Sequence, residues 1–309
     1  MKFGVSLSPV LWWKNTAELE KWVLEAESCG YDSIFIPDHY NLTSPSPVGE
    51  PLDAWSTLSY IAAITRNIKL GTIVSPIPRY VPSQLAKIVS TVDLLSNGRV
   101  LLGVGSGWIP YEFINYSPQQ CYEEPKTRVD RFQEGLQIIV KLWTEEKTSF
   151  NGKYYKLKDA VLLPKPIQKP HPPLWSGVRE KRAMKITAKH CNGWIVPQIR
   201  VGPLETAPGK YEAKVLSTVT PEIYEENVNI IKNYLKKFGK SIDKFTLSFF
   251  GLVTEKPTEN IKTIEKYMQV GCQYYIVDTL RSLSPQMLPS CRAYVEWLRK
   301  FAKEVLPSF

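Results

Sequence analysis

Strand-like and helix-like segments alternate along this chain, and each kind occurs eight times. Residues 16–29 place Leu19, Trp22, Val23 and Ala26 on one helical face, whereas 100–104 are apolar throughout, as in a parallel strand covered on both sides. Eight such pairs within 309 residues predict a (β/α)8 TIM barrel. A doubly wound sheet, the competing architecture, usually has only five or six strands.

The predicted strands are residues 2–8, 31–37, 68–75, 99–105, 173–177, 193–197, 245–253 and 273–278. The predicted helices are 16–29, 53–65, a segment from Pro82 through Val92, 128–143, 180–190, 221–238, 258–270 and 285–305. No internal repeat or low-complexity linker interrupts this order, so we expect residues 1–309 to form a single domain.

Three connections are longer than usual, and long loops are commonly functional. Residues 106–127 and 198–220 follow predicted strands and therefore belong on the carboxyl face of the barrel, the second of them as a lid. Residues 145–171 are expected to contain a hairpin with a turn at Asn151-Gly152.

Composition excludes several classes of partner. The net charge of +9 is spread along the chain without a basic arm, which argues against nucleic acid as a partner. No apolar run approaches the roughly 20 residues of a membrane span, and the start is too polar for a signal peptide.

The five cysteines form no Cys-x-x-Cys pair, so we expect no metal site. A cytoplasmic protein is the resulting expectation.

Asp38-His39 is the leading candidate for chemistry, because it lies at the carboxyl end of the second predicted strand. His39 suits a general acid or base, since imidazole titrates near neutral pH, but a loop histidine bonded to backbone is the alternative. Asp38 either orients the imidazole or a ligand, or serves as a turn residue.

Two further strand ends suggest a ligand site. Residues 103–107, Gly-Val-Gly-Ser-Gly, lack dinucleotide-fingerprint spacing and indicate either a close approach to a flat ligand or a tight turn. Residues 174–178 run toward a helix, where backbone N–H groups favour phosphate, although Ser176 could simply cap that helix. Arg79, Arg179 and Arg281 also lie near carboxyl strand ends and could meet anionic groups, although each of them taken singly is expected at the surface.

The sequence contains no catalytic-triad, paired-carboxylate or metal-ligand spacing. With only three histidines and few other catalytic side chains, we expect a cofactor to carry the chemistry.

Five ordered segments resemble the bacterial luciferase-like family of flavin and deazaflavin oxidoreductases. They are residues 30–40, 68–74, 96–108, 164–175 and 190–194. The resemblance implies a TIM barrel whose cofactor ring lies against strands two to four, beside a non-proline cis peptide around Ile73-Val74-Ser75. It also implies that the cofactor contacts these residues: Asp38, Val74, Ser75, Ser106, Gly107, Ser176, Gly177 and Val178.

The Asp-His pair is similar to that of the deazaflavin branch, in which the histidine faces the reacting carbon. The sugar-phosphate dehydrogenases of that branch have a glutamate where this chain has Trp108, and a tryptophan where it has Thr43. Glu112 is a candidate to supply the carboxylate from the next turn. These departures favour a reductase or a monooxygenase over an alcohol dehydrogenase.

The resulting hypothesis is a coenzyme F420-dependent oxidoreductase in which His39 moves a proton and hydride passes to or from the substrate. Trp12, Trp108 and Tyr111 would line a largely apolar pocket for a small molecule. An FMN-dependent monooxygenase that uses oxygen is the main alternative, and a non-catalytic flavin-binding protein is the second. The resemblance also implies a homodimer.

Overall fold

A parallel β-barrel forms the centre of the protein. The computed structural model describes residues 1–7, 15–40, 51–207, 210–282 and 290–309. The barrel strands are β1 (Lys2–Ser6), β2 (Ser33–Ile36), β3 (Lys69–Thr72), β4 (Ser75–Pro76), β5 (Val100–Gly105), β8 (Leu174–Ser176), β9 (Gly193–Pro197), β12 (Thr246–Gly251) and β13 (Tyr274–Val277). β3 and β4 share one position, and pairing of β3 with β5 closes the ring of eight, which confirms the predicted barrel.

Ten helices of the described chain accompany these strands. They are α1 (Thr16–Ser28), α2 (Ala54–Ile64), α3 (Pro82–Leu95), α4 (Pro110–Tyr116), α5 (Pro125–Thr144), α6 (Lys181–His190), α7 (Pro221–Lys237), α8 (Pro257–Gln269), α9 (Thr279–Ser282) and α10 (Cys291–Glu304). The predicted inward face of α1, from Leu19 to Ala26, is buried. None of the helices in the described ranges is both long enough and apolar enough to cross a membrane.

The core has two layers because side chains alternate across each strand. Ile34 and Ile36 of β2 pack outward against the helices, whereas Phe35 points into the barrel. The inner layer contains Phe35, Ile73, Leu101, Trp175, Ile195, Phe250, Tyr274 and Ile276. These large side chains fill the barrel interior, so a ligand site must lie above them at the carboxyl ends of the strands.

The three long connections have more structure than the sequence predicts. β6 (Thr148–Asn151) and β7 (Lys156–Ala160) form the expected hairpin, but its loop spans residues 152–155 and is longer than a two-residue turn. The predicted lid is an antiparallel ribbon of β10 (Ile199–Ala207) and β11 (Lys210–Thr218). The connection after β5 contains α4. The last helix begins at Cys291, after residues 283–289, which lie outside the described chain.

Candidate active site

A cavity of about 640 Å³ lies at the carboxyl ends of the barrel strands. The ribbon β10–β11 forms part of its wall through Arg200, Val201 and Leu216, among others. Seven of the residues predicted from the sequence line this cavity: His39, Val74, Ser106, Gly107, Trp108, Gly177 and Val178. The barrel therefore brings together side chains from four separate strand ends.

Val74 lies among the glycines of the strand ends. The peptide between Ile73 and Val74 is cis, as the resemblance implies. A Cβ atom on Gly105 would lie 2.8 Å from Val74 Cγ2, and one on Gly177 would lie 2.9 Å from Val74 Cγ1. These two glycines therefore make room for the Val74 side chain. At Gly103 the close approach is between two strands, since a Cβ there would lie 1.8 Å from the Thr72 carbonyl oxygen.

His39 is held by a carboxylate from the helix after β5. Glu112, in the first turn of α4, places Oε1 3.1 Å from His39 Nδ1 and accepts the backbone N–H of Tyr40 at 2.8 Å. The Trp108 ring meets the imidazole edge-on, with centroids 6.0 Å apart. Burial raises the pKa of Glu112, but His39 and Arg79 outweigh that effect, so this pKa lies below its ordinary value.

Asp38 binds protein groups on the other side of the strand end. Its buried carboxylate accepts hydrogen bonds from Ser75 Oγ at 2.5 Å and Tyr80 Oη at 2.8 Å, and it pairs with Arg79. Neither Asp38 nor Ser75 is among the residues that line the cavity. The carboxylate thus has protein partners in Ser75 and Arg79, and the contacts of Asp38 and Ser75 with a cofactor stay predictions.

Arg79 is buried, so its predicted position at the surface is wrong. Only 2% of the residue is exposed, and it lies in the 3-10 turn Ile77–Arg79 that follows β4. Its Nη1 donates to Glu112 Oε2 at 2.8 Å, and its Nη2 pairs with Asp38 Oδ1. The sequence placed Arg79 near a carboxyl strand end but carried no signal for its two partners.

One side of the cavity is rich in unsatisfied polar groups. Arg128 and Arg179 both line the cavity, and the Nε atom of each is buried without a hydrogen-bond partner in the described part of the chain. Ser176 Oγ is likewise buried without a partner, but Ser176 is not among the residues that line the cavity. Ser176 does not cap the following helix, because α6 begins only at Lys181. Arg200 also lines the cavity and pairs with Glu180 at 2.7 Å. Buried donors without partners favour an anionic ligand here.

Trp12 and Tyr111 are the other two predicted pocket residues. Trp12 lies outside the described residues. Tyr111 is 43% exposed on α4, where its ring meets Tyr116, and it is not among the residues that line the cavity. Prediction missed Arg128, which is buried over the Tyr122 ring, with the guanidinium carbon 4.1 Å from its centroid. The aromatic residues in 106–127, which include Tyr122, could have indicated that a nearby arginine packs against one of their rings.

Comparisons with known proteins agree with this architecture. An F420-dependent glucose-6-phosphate dehydrogenase of Amycolatopsis mediterranei is 36% identical over 154 residues, which are 49% of this chain and 45% of that protein. The chain thus spans about half the length of this curated relative.

Two solved structures share the fold over nearly the full length of both chains. An F420-dependent secondary alcohol dehydrogenase in complex with an F420-acetone adduct has a TM-score of 0.78 at 15% identity, over 99% of this chain and 98% of that one. Monooxygenase RslO1 of Streptomyces bottropensis has a TM-score of 0.75 at 18% identity, over 99% of each. The family model for luciferase-like monooxygenases matches residues 1–208, and this chain belongs to that family.

Proposed function

We propose that this chain is a coenzyme F420-dependent oxidoreductase that acts by hydride transfer on a small, largely apolar molecule. The observation that carries the proposal is the His39–Glu112 pair, which lines the same cavity as a cluster of arginines. The likeness to proteins named as F420-dependent supports the choice of cofactor.

The residues of the cavity fit such a cofactor. Ser176 Oγ, Arg128 Nε and Arg179 Nε are buried polar atoms without a partner in the described chain. The two arginines, which line the cavity, would hold the phosphate and carboxylate groups of the cofactor, for which arginine is well suited. Ser176 follows the same strand end and stays a predicted contact of the phosphate. Val74, Gly107 and Gly177 would lie against its ring. When bound, coenzyme F420 supplies hydride-transfer chemistry.

The protein itself would supply a positioned proton. Glu112 is ionised and can only accept at this contact, so His39 carries its hydrogen on Nδ1. Nε2 is then the ring nitrogen that can give or take a proton in the cavity. Trp108 and Phe250 contribute apolar surface to the cavity wall, which suits a substrate with few charged groups.

Titration of the purified protein with coenzyme F420 and with FMN tests this proposal. We expect F420 to bind, with binding weakened by salt, and FMN to bind more weakly. Tight binding of FMN together with no binding of F420 would overturn the proposal.

An FMN-dependent monooxygenase is the second candidate. The matching family model is described as luciferase-like monooxygenase, and RslO1 shares the fold. This candidate predicts consumption of oxygen when the protein is supplied with reduced FMN and substrate, whereas the first candidate predicts none.

We also infer that residues 1–309 act as one domain and pair as a homodimer. β1 and β13 are neighbours in the barrel, with Lys2 opposite Tyr274, so both ends of the chain contribute to one sheet. Light scattering tests the pairing, and a mass near 35.3 kDa would contradict it.

A further inference from the structure

Four charged or ionisable side chains form a continuous chain of contacts beneath the cavity. Arg79 Nη2 pairs with Asp38 Oδ1, Arg79 Nη1 donates to Glu112 Oε2 at 2.8 Å, and Glu112 Oε1 meets His39 Nδ1 at 3.1 Å. The side chains of Asp38, Arg79 and Glu112 are at most 2% exposed, whereas that of His39 is 16% exposed. His39 is therefore the most exposed member of the cluster, and it lines the cavity together with Glu112.

The charges of this cluster depend on the protonation state of His39. Two carboxylates and one guanidinium give a net charge of −1 when the imidazole is neutral, and zero when it is protonated. Because buried charge is costly unless it is paired, such a cluster attracts a proton to His39. Without Arg79 the same carboxylates would carry −2, and they would hold that proton much more strongly.

We propose that Arg79 is a positioning residue that lowers the proton affinity of His39 by sharing the charge of Glu112. The role in proton transfer rests on the proposed function, but the effect on His39 is a property of the protein alone. Arg79 thus weakens the hold of the two buried acids on a proton of the imidazole.

The other groups around His39 leave this assignment intact. Tyr40 and Tyr80 lie under the guanidinium of Arg79, with ring centroids 4.1 and 5.2 Å away. Burial raises the pKa of both phenols, so they stay neutral at physiological pH. The cavity lining also includes Asp278, Glu180 and the cationic residues Arg128, Arg179 and Arg200. Arg79 is the cation in contact with Glu112 Oε2.

Arginine suits this position better than lysine. Its planar fork donates through separate nitrogens, and here Nη1 and Nη2 reach different carboxylates. A lysine ammonium would keep the charge but would lie close to only one of the two acids. We therefore expect Arg79→Lys to preserve part of the effect and Arg79→Met to abolish it.

Nitrogen-15 NMR of histidine rings in the full-length protein, without cofactor, tests the proposal directly. The chain has only three histidines, so His39 can be followed beside His171 and His190 as internal references. In wild type we expect the hydrogen of neutral His39 on Nδ1. In Arg79→Met the titration midpoint of His39 should rise by about one pH unit or more, and in Arg79→Lys by less.

A second variant is needed as a control, because Arg79→Met could fail to fold. Arg79→Met leaves Asp38 without its cation, so the double variant Asp38→Asn/Arg79→Met removes both charges. It should still show a rise, because Glu112 loses its cation, but a smaller one, because Asp38 no longer adds its charge. Arg131→Met is the matched control. Arg131 also pairs with a carboxylate, Glu123 at 2.6 Å, and lies over an aromatic ring, but it is outside the cluster. It should leave His39 unchanged.

Three outcomes would overturn the proposal. The first is an unchanged titration midpoint of His39 in the folded Arg79 variants, and the second is an equal shift of that midpoint in Arg131→Met. The third is that neither Arg79→Met nor the double variant folds, which would make the role of Arg79 structural. Because the spectra need no cofactor, failure of F420 to bind would sink the proposed function while leaving this result standing.

Discussion

Glu112 Oε1 lies 3.1 Å from His39 Nδ1, although 73 positions separate the two residues in the sequence. The contact joins the first turn of α4 to the end of β2. An ionised carboxylate can only accept hydrogen bonds, so the contact fixes which nitrogen of the imidazole carries the hydrogen. The other ring nitrogen, Nε2, is then the one left to exchange a proton if His39 has the proposed role.

Replacement of His39 by alanine should lower turnover about 10²- to 10⁴-fold, the usual contribution of a positioned acid or base. Cofactor affinity should change little, because the imidazole is held by protein groups. Steady-state kinetics and a binding titration measure the two effects separately. His171→Ala is the control, since His171 Nδ1 bonds the Pro172 carbonyl at 2.8 Å. Unchanged turnover in His39→Ala would remove the catalytic role.

Glu112→Gln keeps the shape of the side chain and removes its charge. The pKa of Glu112 lies below its ordinary value, so the wild-type carboxylate is ionised across the working pH range and stabilises protonated His39. The variant should therefore move the titration of His39 to lower pH and reduce turnover. The pH dependence of kcat/KM measures the shift. Glu123→Gln, which loses only the pairing with Arg131, should leave the profile in place.

Arg128→Met and Arg179→Met should each weaken binding of coenzyme F420 by roughly tenfold or more, the loss expected for a charge-assisted hydrogen bond. Burial lowers the pKa of both guanidinium groups, and Arg200 adds to this at Arg179, so a bound anion would relieve an unfavourable arrangement. Fluorescence titration at several salt concentrations measures the affinity. Arg182→Met, at an exposed pair with Asp130, is the control. If both variants bind coenzyme F420 as tightly as wild type, the anionic groups of the cofactor bind elsewhere.

Gly177→Ala should lower cofactor affinity through Val74. The added methyl group would lie 2.9 Å from Val74 Cγ1, closer than ordinary contact, so the side chain of Val74, which lines the cavity, would have to shift. The double variant Val74→Ala/Gly177→Ala removes the crowded methyl groups and should restore binding. If the double variant binds as poorly as Gly177→Ala, the loss has another origin.

His190 should make the protein less stable in acid. Burial, followed by the charges of Lys189 and Lys240, lowers the pKa of His190 to about 4 from 6.5. The unfolded state therefore binds a proton in the range from about 6.5 to 4 in which the folded state does not, and stability falls as the pH drops through it. Solvent screening of the partly exposed ring limits the effect to about 1 kcal/mol. Urea unfolding at pH 7 and 4.5 should show a smaller acid loss in His190→Gln than in wild type.

The barrel could be predicted because its strands and helices each have a characteristic local spacing of apolar residues. Helical spacing of apolar residues identified α1, and continuous apolar runs identified β5, since each element buries a face that recurs every few residues. The sequence predicts a loop where the ribbon β10–β11 forms, because Gly202, Pro203, Pro208 and Gly209 interrupt the alternating pattern of a strand. Its strands depend on pairing with each other and carry no strong signal one at a time.

The order of strands and helices follows from the sequence alone, which also puts His39, Ser106 and Gly177 at the carboxyl ends of strands. Topology alone requires such ends to meet on one face of a barrel. Only the tertiary structure decided that Glu112 holds His39 and that Arg79 is buried between two carboxylates. These contacts join residues that are 33 to 73 positions apart in the sequence. They depend on how the connections pack on the barrel and on which charges pair, and a local sequence pattern predicts neither.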